Sequence, residues 1–128
     1  MASEKFNKKV LVVDDEILVL SMMAMLFKRK FEVCHEASNG QEALKILEQY
    51  NDIDCVITDI SMPVMDGYEL RTHVSTMRPE LPVIAVTGHS DESHIKRMQE
   101  HRFSHIILKP VDRDKVADMV NKIVGLSA

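Results

Sequence analysis

A chain of 128 residues suits one domain, since at that length roughly two thirds of the unfolded chain's surface is buried on folding, enough for one core. Hydrophobic residues at 45% and charged residues at 28% exclude collagen-like, disordered and disulfide-scaffold classes. With 16 Lys+Arg against 20 Asp+Glu the net charge is −4, which offers no field for direct binding of nucleic acid or an anionic membrane.

Apolar stretches such as Val10 to Val13 and Ile17 to Leu26 fall short of the roughly 20 residues that span a bilayer. The N-terminal MASEKFNKK is followed by only four apolar residues before two aspartates, so it lacks the apolar core of a signal peptide and the expected compartment is the cytoplasm.

In chain order, five short β-branched runs alternate with five amphipathic segments. The first run, Val10 to Val13, leads into a helix expected over Glu16 to Lys28. The second, Phe31 to Cys34, precedes a helix over Gln41 to Gln49, in which Ala43, Leu44 and Leu47 share one face and Glu42, Lys45 and Glu48 the other. Asn39-Gly40 marks its start. The third run, Cys55 to Thr58, is followed by Asp66-Gly67 and a helix over Tyr68 to Met77. Pro79 and Pro82 then break the chain. The fourth run, Pro82 to Thr87, precedes a helix over Glu92 to Glu100 entered at Asp91. The fifth, His105 to Leu108, precedes a helix over Arg113 to Val124 with Asp112 as its N-cap. About eight residues at the start and four at the end remain as tails.

Strands alternating with helices, several of them apolar throughout, describe an α/β fold with a doubly wound parallel sheet covered on both faces. Right-handed crossovers then place a ligand site at the carboxyl ends of the strands. The first strand runs into Asp14-Asp15-Glu16, the third into Asp59, the fourth into Thr87-Gly88 and the fifth into Lys109-Pro110. Gathered carboxylates repel one another unless a cation neutralises them. Oxygen ligands without His or Cys suit Mg2+. A hydroxyl and an ammonium at the same edge are the groups that surround a phosphoryl group.

With these motifs, and with Asp59-Ile60-Ser61-Met62-Pro63-Val64-Met65-Asp66-Gly67 after the third strand, the chain resembles the response-regulator receiver domains of two-component signalling and chemotaxis (the CheY-like superfamily). The resemblance covers residues 8–124, leaving no room within the 128 residues for an output domain. It implies a flavodoxin-like (βα)5 fold with five parallel strands in the order 2-1-3-4-5. It implies that Asp59 is the phosphoacceptor, that Asp15, Asp59 and the Ser61 carbonyl ligate Mg2+ directly, and that Asp14 acts largely through water. Thr87 would bond a phosphoryl oxygen, and Lys109 would pair with the phosphoryl group beside a cis peptide to Pro110. The phosphoryl donor would be a phosphohistidine of a histidine kinase or histidine phosphotransfer protein, met at the first helix, where Met22, Met23 and Met25 stand.

The implied protein is a switch that catalyses its own phosphorylation and dephosphorylation rather than a conventional enzyme. It is a free-standing single-domain regulator, a phosphorelay intermediate, or a receiver that is part of a hybrid sensor kinase or longer regulator. Receivers of this kind couple Thr87 to an aromatic three residues before the lysine; that position here is Ile106, which has no ring to swing. The resemblance also implies that Ser61 and His89 occupy positions where receivers of this kind tune access of the attacking water. A Mg2+-dependent phosphohydrolase with an Asp nucleophile is the remote alternative, and Asp59-Ile60-Ser61 lacks the second aspartate that such an enzyme uses as acid and base. A flavin-binding protein of the same topology would need a Gly/Ser/Thr-rich phosphate loop where Asp14-Asp15 stands. The implied strand order puts Cys34 and Cys55 on either side of the first strand, about 9.5 Å apart and too far for a disulfide. His35, His73, His94 and His101 are expected at the surface, and His105 is a strand-end residue.

Overall fold

Alternating side chains on each strand divide the apolar residues between two faces. On one face lie Val10, Val12, Cys55, Ile57, Ile84 and Val86, packed with residues of the first and last helices. On the other lie Leu11, Val13, Val56, Val83 and Ala85, packed with residues of the three middle helices. The computed structural model describes residues 5–127, with no account of the side chains of 126 and 127. Residues 1–4 and 128, part of the stretches expected as tails, lie outside the described residues.

The elements are β1 (Phe6–Val13), α1 (Ile17–Lys30), β2 (Phe31–Ala37), α2 (Gly40–Gln49), β3 (Cys55–Asp59), α3 (Gly67–Met77), β4 (Val83–Thr87), α4 (Glu92–Glu100), β5 (His105–Leu108) and α5 (Val116–Ser127). All strands pair in parallel, in the order β2-β1-β3-β4-β5. The chain order reverses at β1 and β3, which places the ends of these two central strands at the switch point. No helix among the described residues is long and apolar enough to cross a membrane.

Several boundaries differ from the sequence expectation. β1 starts at Phe6, where the Phe6 ring packs 5.4 Å from that of Phe31 and the Lys9 amide donates to the Asp54 carboxylate at 2.8 Å. β2 continues through His35 and Glu36 to Ala37, in register with β1. α5 starts at Val116 rather than Arg113, because Asp112 first closes a turn: its carboxylate accepts from the Asp114 amide at 3.0 Å and its carbonyl from the Val116 amide at 2.9 Å.

Cys34 and Cys55 each pair with Val10 from opposite sides and are free, buried thiols. Burial pushes the Cys34 thiol up to about 12 and raises that of Cys55, so both are unreactive, apolar fillers at neutral pH.

Three of the histidines expected at the surface are half-buried. His35 stacks 4.3 Å from Tyr50, His94 stacks 4.4 Å from His89 and His101 lies 4.6 Å from Tyr68. His73 is exposed as expected, and His105, at the start of β5, is exposed as well.

Candidate functional site

Asp59 is the last residue of β3, a strand buried along its whole length, and the residue is 8% exposed. One of its oxygens, Oδ1, accepts the Ile60 amide at 2.8 Å. Asp14, just past β1, is 1% exposed; its Oδ1 accepts the Glu16 amide at 2.9 Å, and its own amide donates to the Ala37 carbonyl at 3.2 Å. Asp15 is half-buried beside it. Ligand oxygens of Asp14, Asp15 and Asp59 all lie within 4.8 Å of one another.

The ammonium of Lys109 sits 3.5 Å from Asp14 Oδ2 and 3.7 Å from Asp59 Oδ2. Thr87, 1% exposed at the end of β4, fixes Lys109 through the backbone, its carbonyl accepting the Lys109 amide at 2.8 Å. The Lys109–Pro110 peptide is cis, as the resemblance implied.

Charge does not balance here among the described residues: three carboxylates gather, and the ammonium of Lys109 pairs with two of them. Burial pushes the Asp59 carboxyl above its ordinary range, with Asp14 and Asp15 adding to the rise and Lys109 opposing it. Burial likewise raises Asp14, against the Glu16 amide and Lys109. Such a site favours a further cation, and with oxygen donors alone it suits a hard one. The residues present therefore fit Mg2+.

The loop from β3 to α3 shapes the rim. Met65 donates its amide to the Pro63 carbonyl at 2.7 Å, a three-residue turn with Val64 at φ 70°, which is strained for a β-branched residue. The turn leaves Val64 70% exposed while Met62 and Met65 point inward. Asp66 and Glu69 then cap α3 reciprocally.

Gly67, the first residue of α3, donates its amide to the Ile60 carbonyl at 2.8 Å. A Cβ there would stand 2.6 Å from the Asp59 carbonyl oxygen and 2.8 Å from Ile60 Cα, and backbone cannot yield as a side-chain tip does. Gly67→Ala is expected to cost about 1–3 kcal/mol by overpacking and to move the amide NMR signals of Asp59 and Ile60. An unchanged melting temperature and unchanged shifts would contradict this close approach.

Ser61 and His89 face each other across the mouth of the site, Oγ to Nε2 at 3.5 Å. The His89 amide donates to Thr87 Oγ1 at 3.1 Å, a link the sequence reading missed. Ile106 is half-buried, opposite Ala85 in the sheet and packed on the core beneath α2, α3 and α4. On α1, Met25 is exposed, Met22 is half-buried and Met23 is core.

A parallel sheet in this order, with carboxylates, a hydroxyl and a lysine meeting at its carboxyl edge, defines the flavodoxin-like class that CheY-like domains share. The sequence pattern of the response regulator receiver domain matches residues 10–121. The chain is 29% identical over 117 residues to the chemotaxis protein CheY of Halobacterium salinarum, covering 91% of this chain and 97% of that protein. It is 32% identical over 114 residues to the sensor histidine kinase RcsC of Escherichia coli, covering 89% of this chain and 12% of the kinase. It superposes on a chain in the crystal structure of the CheX-CheY-BeF3-Mg+2 complex from Borrelia burgdorferi with a TM-score of 0.81 at 29% identity, covering 91% of this chain and 88% of that one. The chain belongs to the response regulator receiver family; it is a receiver domain of two-component signalling.

Proposed function

We propose that Asp59 accepts a phosphoryl group from a phosphohistidine of a histidine kinase or histidine phosphotransfer protein. The carrying observation is the set of three carboxylates with ligand oxygens within 4.8 Å against the ammonium of Lys109, an excess of negative charge that a bound cation balances at neutral pH. Asp15, Asp59 and the Ser61 carbonyl would hold Mg2+, with Asp14 acting through water. Held by these residues, Mg2+ would supply positive charge that, with Lys109, offsets the charge of the carboxylates and the phosphoryl group. The CheY complex from Borrelia burgdorferi, which contains BeF3 and Mg+2, supports this assignment by its likeness in fold.

An Asp59 carboxylate oxygen attacks phosphorus in line. The P–N bond to histidine breaks and its electron pair leaves on the ring nitrogen, giving an acyl phosphate. The nucleophile is already ionised, so no general base is needed, and positioning with electrostatic stabilisation carries the rate. Lys109 meets one equatorial oxygen and the Thr87 hydroxyl another. Water later hydrolyses the acyl phosphate, at a rate tuned by Ser61 and His89 at the mouth. The domain is thus a switch acting on itself rather than a conventional enzyme.

Switching begins at Thr87. Turning its hydroxyl toward the phosphoryl group gives up the bond from the His89 amide and frees the loop before α4. Ile106 contributes packing to this change rather than a moving ring. The donor's surface meets α1, where Ile17, Leu18 and Met25 are 72%, 85% and 57% exposed, next to a groove lined by Met22, Pro110 and Val111. The compartment is the cytoplasm.

With acetyl phosphate as donor, chelation by EDTA or the substitution Asp15→Asn is expected to reduce labelling to background. Asp15 has no core-packing role, so the variant keeps the wild-type circular dichroism. Labelling that persists at wild-type level in EDTA would contradict the metal assignment.

A further inference from the structure

A second group of potential ligands lies outside the acidic site. Imidazole nitrogens of His89 and His94 and a carboxylate oxygen of Asp91 all lie within 4.8 Å of one another. Their spacing, two residues and then three, has a structural basis. Asp91 is the residue before α4, yet its side chain makes no cap to the helix backbone. Instead Oδ2 accepts the Ser93 hydroxyl at 2.6 Å and Oδ1 pairs with His94 Nδ1 at 2.6 Å. His89, on the loop from β4, folds back so that its ring stacks on that of His94 at 4.4 Å with planes 10° apart.

We propose that His89, Asp91 and His94 form a binding site for a first-row transition-metal dication of the Zn2+ class, distinct from the Mg2+ site. Two imidazoles and one carboxylate, with the remaining position open to water, are a borderline donor set that suits Zn2+, Co2+ or Ni2+ and not a hard oxygen-seeking ion. Zn–N bonds of about 2.0–2.1 Å in a tetrahedron require donor atoms about 3.3 Å apart. The present spread closes to that by rotation about the soft terminal torsions of His and Asp. His89 and Asp91 are exposed and His94 is half-buried, so an ion enters directly from solvent. In binding, the ion replaces the hydrogen bond between Asp91 Oδ1 and His94 Nδ1, and the neutral imidazole carries its single N–H on the other ring nitrogen, so no net proton is released.

Occupancy would tie the first turn of α4 to the loop that carries Thr87. Because His89 also stands 3.5 Å from Ser61 Oγ, the ion would sit at the rim of the acidic site without sharing its ligands. The assignment does not depend on Asp59 being the phosphoacceptor.

The test is a titration of tag-free protein with Co2+ in excess Mg2+, followed by visible absorption. The expected result is the intensified d–d absorption of low-coordinate cobalt, quenched by stoichiometric Zn2+. His94→Ala and His89→Ala should each weaken binding at least about tenfold, as losing a group at a metal centre does, while circular dichroism stays unchanged. Asp15→Asn should leave the cobalt spectrum as it is. Absence of the band, an identical band in both histidine variants, or its loss in Asp15→Asn would overturn the proposal.

Discussion

Asp59→Asn is expected to stabilise the metal-free domain while removing its capacity to take a phosphoryl group. Asp59 is 8% exposed, its carboxyl is raised by burial and by Asp14 and Asp15, and Lys109 lies 3.7 Å away, shared with Asp14. A carboxyl whose folded pKa exceeds its unfolded value opposes folding once ionised, so at neutral pH the charge is a liability. That liability fades as pH falls through the folded value. Asn keeps the shape without the charge, and relief of a strained functional site gains about 0.5–2 kcal/mol, roughly 2–8 °C in a domain of this size. The advantage should shrink toward acid pH, where wild-type Asp59 is protonated, and also in saturating Mg2+, which stabilises the wild type by binding. A variant that melts lower than wild type in EDTA would contradict this account of the site's electrostatics.

Lys109→Met should act in the opposite direction. The ammonium is the cation that faces both buried carboxylates, and its removal leaves Asp14 with the Glu16 amide alone among its described side-chain partners. Breaking a fully buried pair costs about 3–5 kcal/mol. Separations of 3.5 and 3.7 Å and a Lys109 side chain 24% exposed reduce the expectation to about 1–3 kcal/mol. Labelling should slow by about 10²–10³-fold, the usual cost of one preorganised stabiliser of transition-state charge. The variant should respond more strongly to Mg2+ than wild type does, because the metal then has no competitor for the carboxylates. The Asp59→Asn/Lys109→Met pair should be non-additive in melting temperature, since the two groups share one field. Strict additivity would show that they do not interact.

The core strands and the residues at their ends were legible because both depend on local signals. A run such as Val10 to Val13 can only be buried, and a doubly wound sheet sends Asp14, Asp59, Thr87 and Lys109 to one edge wherever the strands stop. The order of strands came through the family resemblance, since nothing in periodicity distinguishes one parallel arrangement from another. Polar strand ends were not legible. Phe6 to Lys9 reads as a tail until the ring of Phe31 and the carboxylate of Asp54 are beside it.

Ring partners are equally hidden. His35, His94 and His101 are half-buried and in ring contact with Tyr50, His89 and Tyr68, and each such contact joins residues whose meeting the fold decides. Asp91 was readable as a helix start, but its use of Ser93 and His94 in place of the backbone was not. The positive φ of Val64 also escapes sequence reasoning, since a β-branched residue is the least expected choice there.

The residue that takes the phosphoryl group decides the assignment of the site most directly. Wild-type protein incubated with acetyl phosphate and Mg2+, reduced with borohydride to trap any acyl phosphate and digested for mass spectrometry, should show one modified residue, Asp59. Modification at another residue, or equal labelling of Asp59→Asn, would contradict it.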